Sequence, residues 1–164
     1  MDESDRFGSF ESPLLPAIVR GLGDRSYDKR KNAALEVTVV IKNLQERNDI
    51  DKMILIIKYL TQEFARSKNY SYRKGGLIAL AAAAIGLTAD IDRYLNILIP
   101  PVIECFEDNE HRVCYYACEA MYNIAKVAKA SVLRYFNQIF DGLCKLFANN
   151  DPSVKASVML HIPR

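Results

Sequence analysis

Four stretches of this chain can be laid on one another at a spacing of about 41 residues, and no other feature restricts its fold as much. Aligning Ala34, Gly76, Ala117 and Val158 gives separations of 42, 41 and 41 residues. Three positions earlier stand Lys31, Arg73, Cys114 and Lys155, three of the four being basic. Four positions earlier Val113 and Val154 match, while Arg30 and Tyr72 do not. A polar turn precedes each stretch: Gly23-Asp24, Lys68-Asn69, Asp108-Asn109 and Asn149-Asn150. Between such breaks the apolar residues recur at helical spacing, and no run alternates with period two. The segments 14–22, 29–44, 50–64, 72–87, 91–106, 113–129 and 132–147 read as helices, with an eighth opened by Pro152 at a first-turn position. Paired helices at this period are the signature of HEAT/armadillo repeats, which run ~40–47 residues. One pair cannot bury its own apolar face, so neighbours must stack to close a continuous core. The expected fold is therefore all-α, a HEAT/armadillo-type solenoid of about four helix pairs, rather than an ordinary globular bundle. The pairs are placed at 13–47, 48–89, 90–130 and 131–164, the last truncated, behind an acidic leader over residues 1–12.

Two local features carry expectations of their own. Pro100-Pro101 removes two amide donors from the segment 91–106, which predicts a kink or a break there. At the end of the array, Leu133, Phe136, Ile139, Phe140, Leu143 and Phe147 lie on a helix with too little partner surface to cover them. An exposed apolar patch is expected there, with self-association as its consequence.

Composition narrows function mainly by exclusion. The 164 residues are 50% hydrophobic with 7 Gly and 6 Pro, enough apolar side chain for a packed core. The net charge of +2 is too balanced to argue for nucleic acid, and a base-reading helical repeat would need a strongly basic groove. The longest uncharged run, residues 75–89, is fifteen residues and alanine-rich, which suits a buried helix better than a membrane span. The N-terminus has no apolar stretch of a secretory signal. Cys105, Cys114, Cys118 and Cys144 show no C-x-x-C spacing and read as free thiols; Cys114 and Cys118 with His111 do not form a zinc pattern. No nucleophile sits in a recognisable setting with a base and an orienting group, so neither an enzyme, a cofactor nor a metal is expected.

Binding surfaces are the remaining source of function. With Ala117 as the core direction, Tyr115, Glu119, Tyr122 and Lys126 point the opposite way at 100° per residue. The equivalents are Lys74, Ile78, Ala81 and Ile85 in the second repeat and Asn32, Glu36, Val39 and Asn43 in the first. Lys74, Ile78, Ile85, Tyr115, Tyr122 and Lys126 are accordingly the candidate partner-binding residues, more apolar as a group than a solvated face requires. Lys31, Arg73 and Lys155 read as a ladder bonding turn carboxylates and carbonyls between repeats, in preference to a phosphate-reading stripe.

Longer strings carry a more particular likeness. YDKRKNAALE at 27–36, RKGGLI at 73–78, YYACEAMYNI at 115–124, FNQIFDGLCK at 136–145 and Val154-Lys155 resemble the N-terminal region of the vacuole-morphology scaffold family, from about Leu14 to Lys155. The resemblance implies a non-catalytic scaffold several times longer than this chain. It implies as partners a PIKfyve-type phosphatidylinositol 3-phosphate 5-kinase and a Sac-domain phosphatase. The place it implies is cytoplasmic, peripheral on endosomal, lysosomal or vacuolar membranes. Cys114 departs from the basic ladder, and after Val154-Lys155 the chain ends where the family continues, which reads as a fragment. The rival reading is a peptide-binding HEAT adaptor in trafficking or transport.

Overall fold

The computed structural model describes residues 11–148. Among these residues the chain is helical throughout, with no strand: α1 (Pro16–Leu22), α2 (Tyr27–Glu46), α3 (Ile50–Tyr59), α4 (Tyr70–Leu87), α5 (Leu95–Glu104), α6 (His111–Ala128) and α7 (Phe136–Ala148). The eighth expected helix lies outside the described residues. Helix α3 runs on into a π-helical turn, Leu60–Ala65, and 3-10 turns at Thr88–Tyr94 and Lys129–Tyr135 lead into α5 and α7. The helices form two layers. One holds α2, α4 and α6 side by side; the other holds α1, α3, α5 and α7. Each short helical segment packs on the long helix that follows it, α1 on α2, the π-helical end of α3 (Leu60–Ala65) on α4 and α5 on α6, which is the expected helical-repeat stack.

Helix α4 is the middle of the stack, and its sequence explains why neighbours can close on it from both sides. Ala79 and the run Ala81 to Ala84 are all buried. At Gly86 a Cβ would come within 2.8 Å of the Thr38 carbonyl oxygen on α2. Thr38 Oγ1 in turn donates to the Ala82 carbonyl at 3.0 Å, tying α2 to α4. By length and composition the stretch Tyr70–Glu107 is long and apolar enough to cross a membrane. Here its apolar window is 67% buried inside the protein, and the chain turns at Thr88 so that α5 folds back beside α4 and α6. Its hydrophobicity is used by the repeat core.

Of the two outcomes expected at the prolines, the break does not occur. Helix α5 continues without a break through Pro100 and Pro101. Each proline leaves the carbonyl four residues earlier without an intrahelical donor, at Asn96 and Ile97. Both residues line an open cleft of about 300 Å³ shared with Thr61, Gln62 and Arg66. On its other side α5 buries Leu95, Leu98, Ile99 and Val102. Burying a large apolar side chain contributes ~1.5–3 kcal/mol each, which outweighs a local penalty of ~3 kcal/mol or more.

Each long helix ends on a non-glycine residue with positive φ: Asn48 at 55°, Thr88 at 50° and Lys129 at 53°. Asn tolerates this region, whereas Thr88 is β-branched, and with ψ of −127° at Thr88 and −128° at Lys129 both occupy backbone space suited to glycine. Such strain costs ~1–3 kcal/mol per residue. Thr88→Gly is therefore expected to raise stability by about 1 kcal/mol after the added entropy of the unfolded chain. Urea unfolding checks this, and a variant less stable than its parent contradicts the strain.

Helix α7 and the turn before it carry exposed apolar side chains, as expected for this segment. Leu133, Phe136 and Phe140 are 66%, 54% and 55% exposed, and the Phe136 and Phe140 rings stack at 5.6 Å. Ile139 and Leu143 pack partly against the core, and Leu146 is buried.

Candidate partner-binding surface

The turns before the long helices establish the true register of the repeats. Asp24 Oδ1 accepts from the Ser26 amide, Ser67 Oγ from the Asn69 amide and Asp108 Oδ1 from the Glu110 amide, the same i to i+2 bond three times. Arg30 Nη1 donates to the carbonyls of Asp24 and Arg25, at 2.9 and 2.8 Å. Arg73 Nη1 donates to those of Ser67 and Lys68, both at 3.0 Å. Cys114 Sγ takes the corresponding place on the Asp108 carbonyl at 3.2 Å. Arg30, Arg73 and Cys114 are thus equivalent, and the basic ladder begins at Arg30 rather than at Lys31, which is exposed. Ala33, not Ala34, matches Gly76 and Ala117: Gly21 on α1 packs against Ala33 as Phe64 and Ala65 pack against Gly76.

The ladder works as a structural device between the second and third repeats. Arg73 Nε and Nη2 grip the Asp108 carboxylate at 2.7 and 3.0 Å, with both side chains largely buried. Arg30 has no such partner. Its equivalent of Asp108 is Ser67, and the same edge of its guanidinium meets the Tyr116 hydroxyl, at 3.3 Å from Nη2, while the guanidinium carbon lies 5.8 Å from the centre of the Tyr116 ring. Its Nε is buried without a hydrogen-bond partner. Lys74 lies near it, buried at 6% exposure with its ammonium 4.8 Å from the centre of the Tyr70 ring. Burial depresses the Lys74 pKa, and Arg30 and Arg112 push it the same way, with Glu110 opposing them. Among the described residues no carboxylate lies within ion-pair distance of Arg30 or Lys74.

Lys74 was expected on the exposed stripe, and this is a correction. Helices α2 and α6 close over α4 at this end: the Tyr27 and Tyr116 rings, one from each, approach to 6.3 Å. Tyr27, Ile78, Ala81, Tyr116, Glu119 and Asn123 line a small cavity of about 50 Å³ there, so the row of α4 forms the floor of a concave surface. Further along, the surface opens. Ile85 is 46% and Tyr122 39% exposed, Lys126 is exposed, and Ile78 and Tyr115 are half-buried. The corrected register changes the row on α2 to Lys31, Leu35, Thr38 and Lys42, and brings in Leu35, which is 56% exposed. Arg30, Tyr27, Tyr116 and Leu35 were missed from sequence. Aligning the turn residues Asp24, Ser67 and Asp108 in place of the small helix residues would have found the first and last of them.

The buried thiols belong to the core. Burial pushes Cys105 and Cys118 up to about 12 and Cys114 up to about 11, so all three are protonated near neutral pH. Among the described residues, no His, Cys, Asp and Glu side chains cluster in a group that could hold a metal ion.

A family model described as the vacuolar 14 Fab1-binding region matches residues 71–161. That is more than half of the chain. The chain belongs to the vacuolar 14 family. The vacuolar 14 match begins in α4, takes in α5 to α7 and extends past the described residues, so it includes Ile78, Ile85, Tyr115, Tyr122 and Lys126. Protein VAC14 homolog of Arabidopsis thaliana is 48% identical over 149 residues, 91% of this chain and 20% of the relative. The homolog of Schizosaccharomyces pombe is 48% identical over 142 residues, 84% of this chain and 17% of the relative. Vacuole morphology and inheritance protein 14 of Saccharomyces cerevisiae is 44% identical over 146 residues, 88% of this chain and 17% of the relative. The chain thus spans about a fifth or less of the length of these vacuolar 14 relatives.

Proposed function

We propose that this chain is a non-catalytic scaffold segment that binds a Fab1-type (PIKfyve-type) phosphatidylinositol 3-phosphate 5-kinase. Within a longer scaffold it brings that kinase together with a Sac-type phosphatase on endosomal, lysosomal or vacuolar membranes, and so supports turnover of phosphatidylinositol 3,5-bisphosphate. The observation that carries the reading is the match of residues 71–161 to a region described by its Fab1 binding. The concave surface of α2, α4 and α6 supplies the contact, with Ile85, Tyr122 and Leu35 as its apolar anchors. Scaffolding needs no chemistry from the chain: two partners held on one body meet at a high effective concentration.

Capture of the kinase by the intact scaffold tests this. Anchors at the centre of an interface cost ~2 kcal/mol or more on truncation, about thirtyfold in affinity. Ile85→Asp combined with Tyr122→Ala is expected to weaken capture by at least that factor with the helical circular-dichroism signal unchanged, since both side chains are exposed. Undiminished capture by a folded double variant would remove the concave surface from the interface.

A further inference from the structure

Two equivalent arginines in neighbouring repeats differ in one respect. Arg73 spends one nitrogen on the two turn carbonyls and closes its Nε–Nη2 edge on a carboxylate. Arg30 makes the same two carbonyl bonds, yet its Nε is buried and unpartnered and its Nη2 has only a phenol at 3.3 Å. That edge is a planar fork whose two donors match the two oxygens of a carboxylate. Beside it sits Lys74, a second buried cation whose ammonium lies over the Tyr70 ring and which has no ion pair among the described residues. Exposed Arg112 adds to the local positive field, and exposed Glu110 partly offsets it. An isolated buried cation is costly, and two together more so, unless an anion joins them.

We infer that Arg30 and Lys74 form a receptor for a carboxylate, an Asp or Glu side chain carried on an acidic segment of a protein partner that lies along the concave surface. The inference rests on the proposed kinase-binding role and names the chemistry by which the partner is recognised. A carboxylate is chosen over a phosphoryl group because the equivalent fork in the next repeat already holds one, that of Asp108. The acid enters where the Tyr116 hydroxyl now stands, and Tyr116, half-buried at the edge of the small cavity, gives way to it. The neighbouring Ile78, Leu35 and Ile85 then meet apolar residues of the same segment, so the partner is an acidic-apolar one.

Two variants read this separately from the apolar contact. Lys74→Met keeps the side-chain stem and removes the charge; it is expected to weaken kinase capture by the intact scaffold about tenfold while raising the thermal midpoint. Ser67→Asp puts a carboxylate from this chain at the Arg30 fork, as Asp108 does for Arg73, and is expected to weaken capture comparably, again with a stability gain. A purely structural role for these cations would not move binding and stability in opposite directions. Capture lost in Ile85→Asp/Tyr122→Ala but retained in both Lys74→Met and Ser67→Asp would overturn the carboxylate site and leave the kinase reading standing. Capture untouched by all of them would overturn the carboxylate site and remove the concave surface from the interface. Vesicles containing phosphatidylinositol 3-phosphate, and inorganic phosphate alone, serve as the other probes. Lys74-dependent binding of either, with kinase capture unaffected, would assign the site to phosphate and refute the acidic segment.

Discussion

Gly75→Ala is expected to lower the thermal midpoint of this chain by about 10 °C, from the loss of about 3 kcal/mol or more of stability. A Cβ at Gly75 would lie 2.0 Å from the carbonyl oxygen of Leu22 and 2.8 Å from its carbonyl carbon. Both are backbone atoms at the last residue of α1, and Leu22 itself is fully buried. At the next residue, Gly76, a Cβ would come to 2.5 Å from the Ala65 amide nitrogen. One turn of α4 is therefore wedged between the ends of two short helices, and neither can retreat without opening the core. Overpacking usually costs ~1–3 kcal/mol where side chains can adjust, and more where the obstacle is backbone. Gly23 provides the control: a Cβ there would meet the Tyr72 ring at 2.4 Å, but Tyr72 is partly exposed and can swing away. Gly23→Ala should shift the midpoint by less than a few degrees. Thermal unfolding followed by circular dichroism compares the two, and a Gly75→Ala midpoint within 2–3 °C of the parent contradicts the wedge.

That wedge was not legible in the sequence, where Gly75-Gly76 suggests only close helix approach. What could be read were properties each repeat states for itself. Helical period, polar breaks and small inner-face residues produced the all-α stack and its paired helices. Register in the first repeat could not be read from Ala33 and Ala34, because two adjacent small residues satisfy the same packing requirement; the hydrogen bonds of Arg30 were needed to choose. Lys74 was misplaced for a different reason. Its position on the row opposite the core is right, but the inward curvature of α2 and α6 over α4 is a property of the stack and leaves no mark in a single repeat. Pro100-Pro101 failed as a break because its penalty is local, while the burial that opposes it comes from α4, α6 and α7. The π turn at Leu60–Ala65 has no sequence signal at all that distinguishes it from the helix before it. Of the proposed surface, Ile85 and Tyr122 were visible in the period, and Arg30 became visible only by comparison with Arg73.

Asp108→Ala should cost about 3 kcal/mol, a loss distributed between two repeats. The Asp108 carboxylate accepts from Arg73 Nε and Nη2 of the preceding repeat and from the Glu110 amide at the start of α6, at 2.7, 3.0 and 2.9 Å. The amide bond resembles a helix cap, and such bonds contribute ~0.5–2 kcal/mol. The ion pair is a different kind of contribution. Its side chains are 18% and 9% exposed, so cutting it leaves a guanidinium edge with little access to water, and breaking a buried pair costs ~3–5 kcal/mol at full burial. By contrast, Arg66 and Glu104 form an equally bidentate pair across the other layer but are 40% and 50% exposed. Glu104→Ala should therefore change stability by less than about 1 kcal/mol. A cycle of Asp108→Ala, Arg73→Met and the double variant isolates the pair: the double should lose less than the sum by ~1–3 kcal/mol, because the second change removes the cation that the first had stranded. Urea unfolding of the four proteins supplies the numbers. Additive losses would mean that Asp108 acts through its turn alone, and the contrast between a satisfied fork at Arg73 and an open one at Arg30 would then lose its energetic basis.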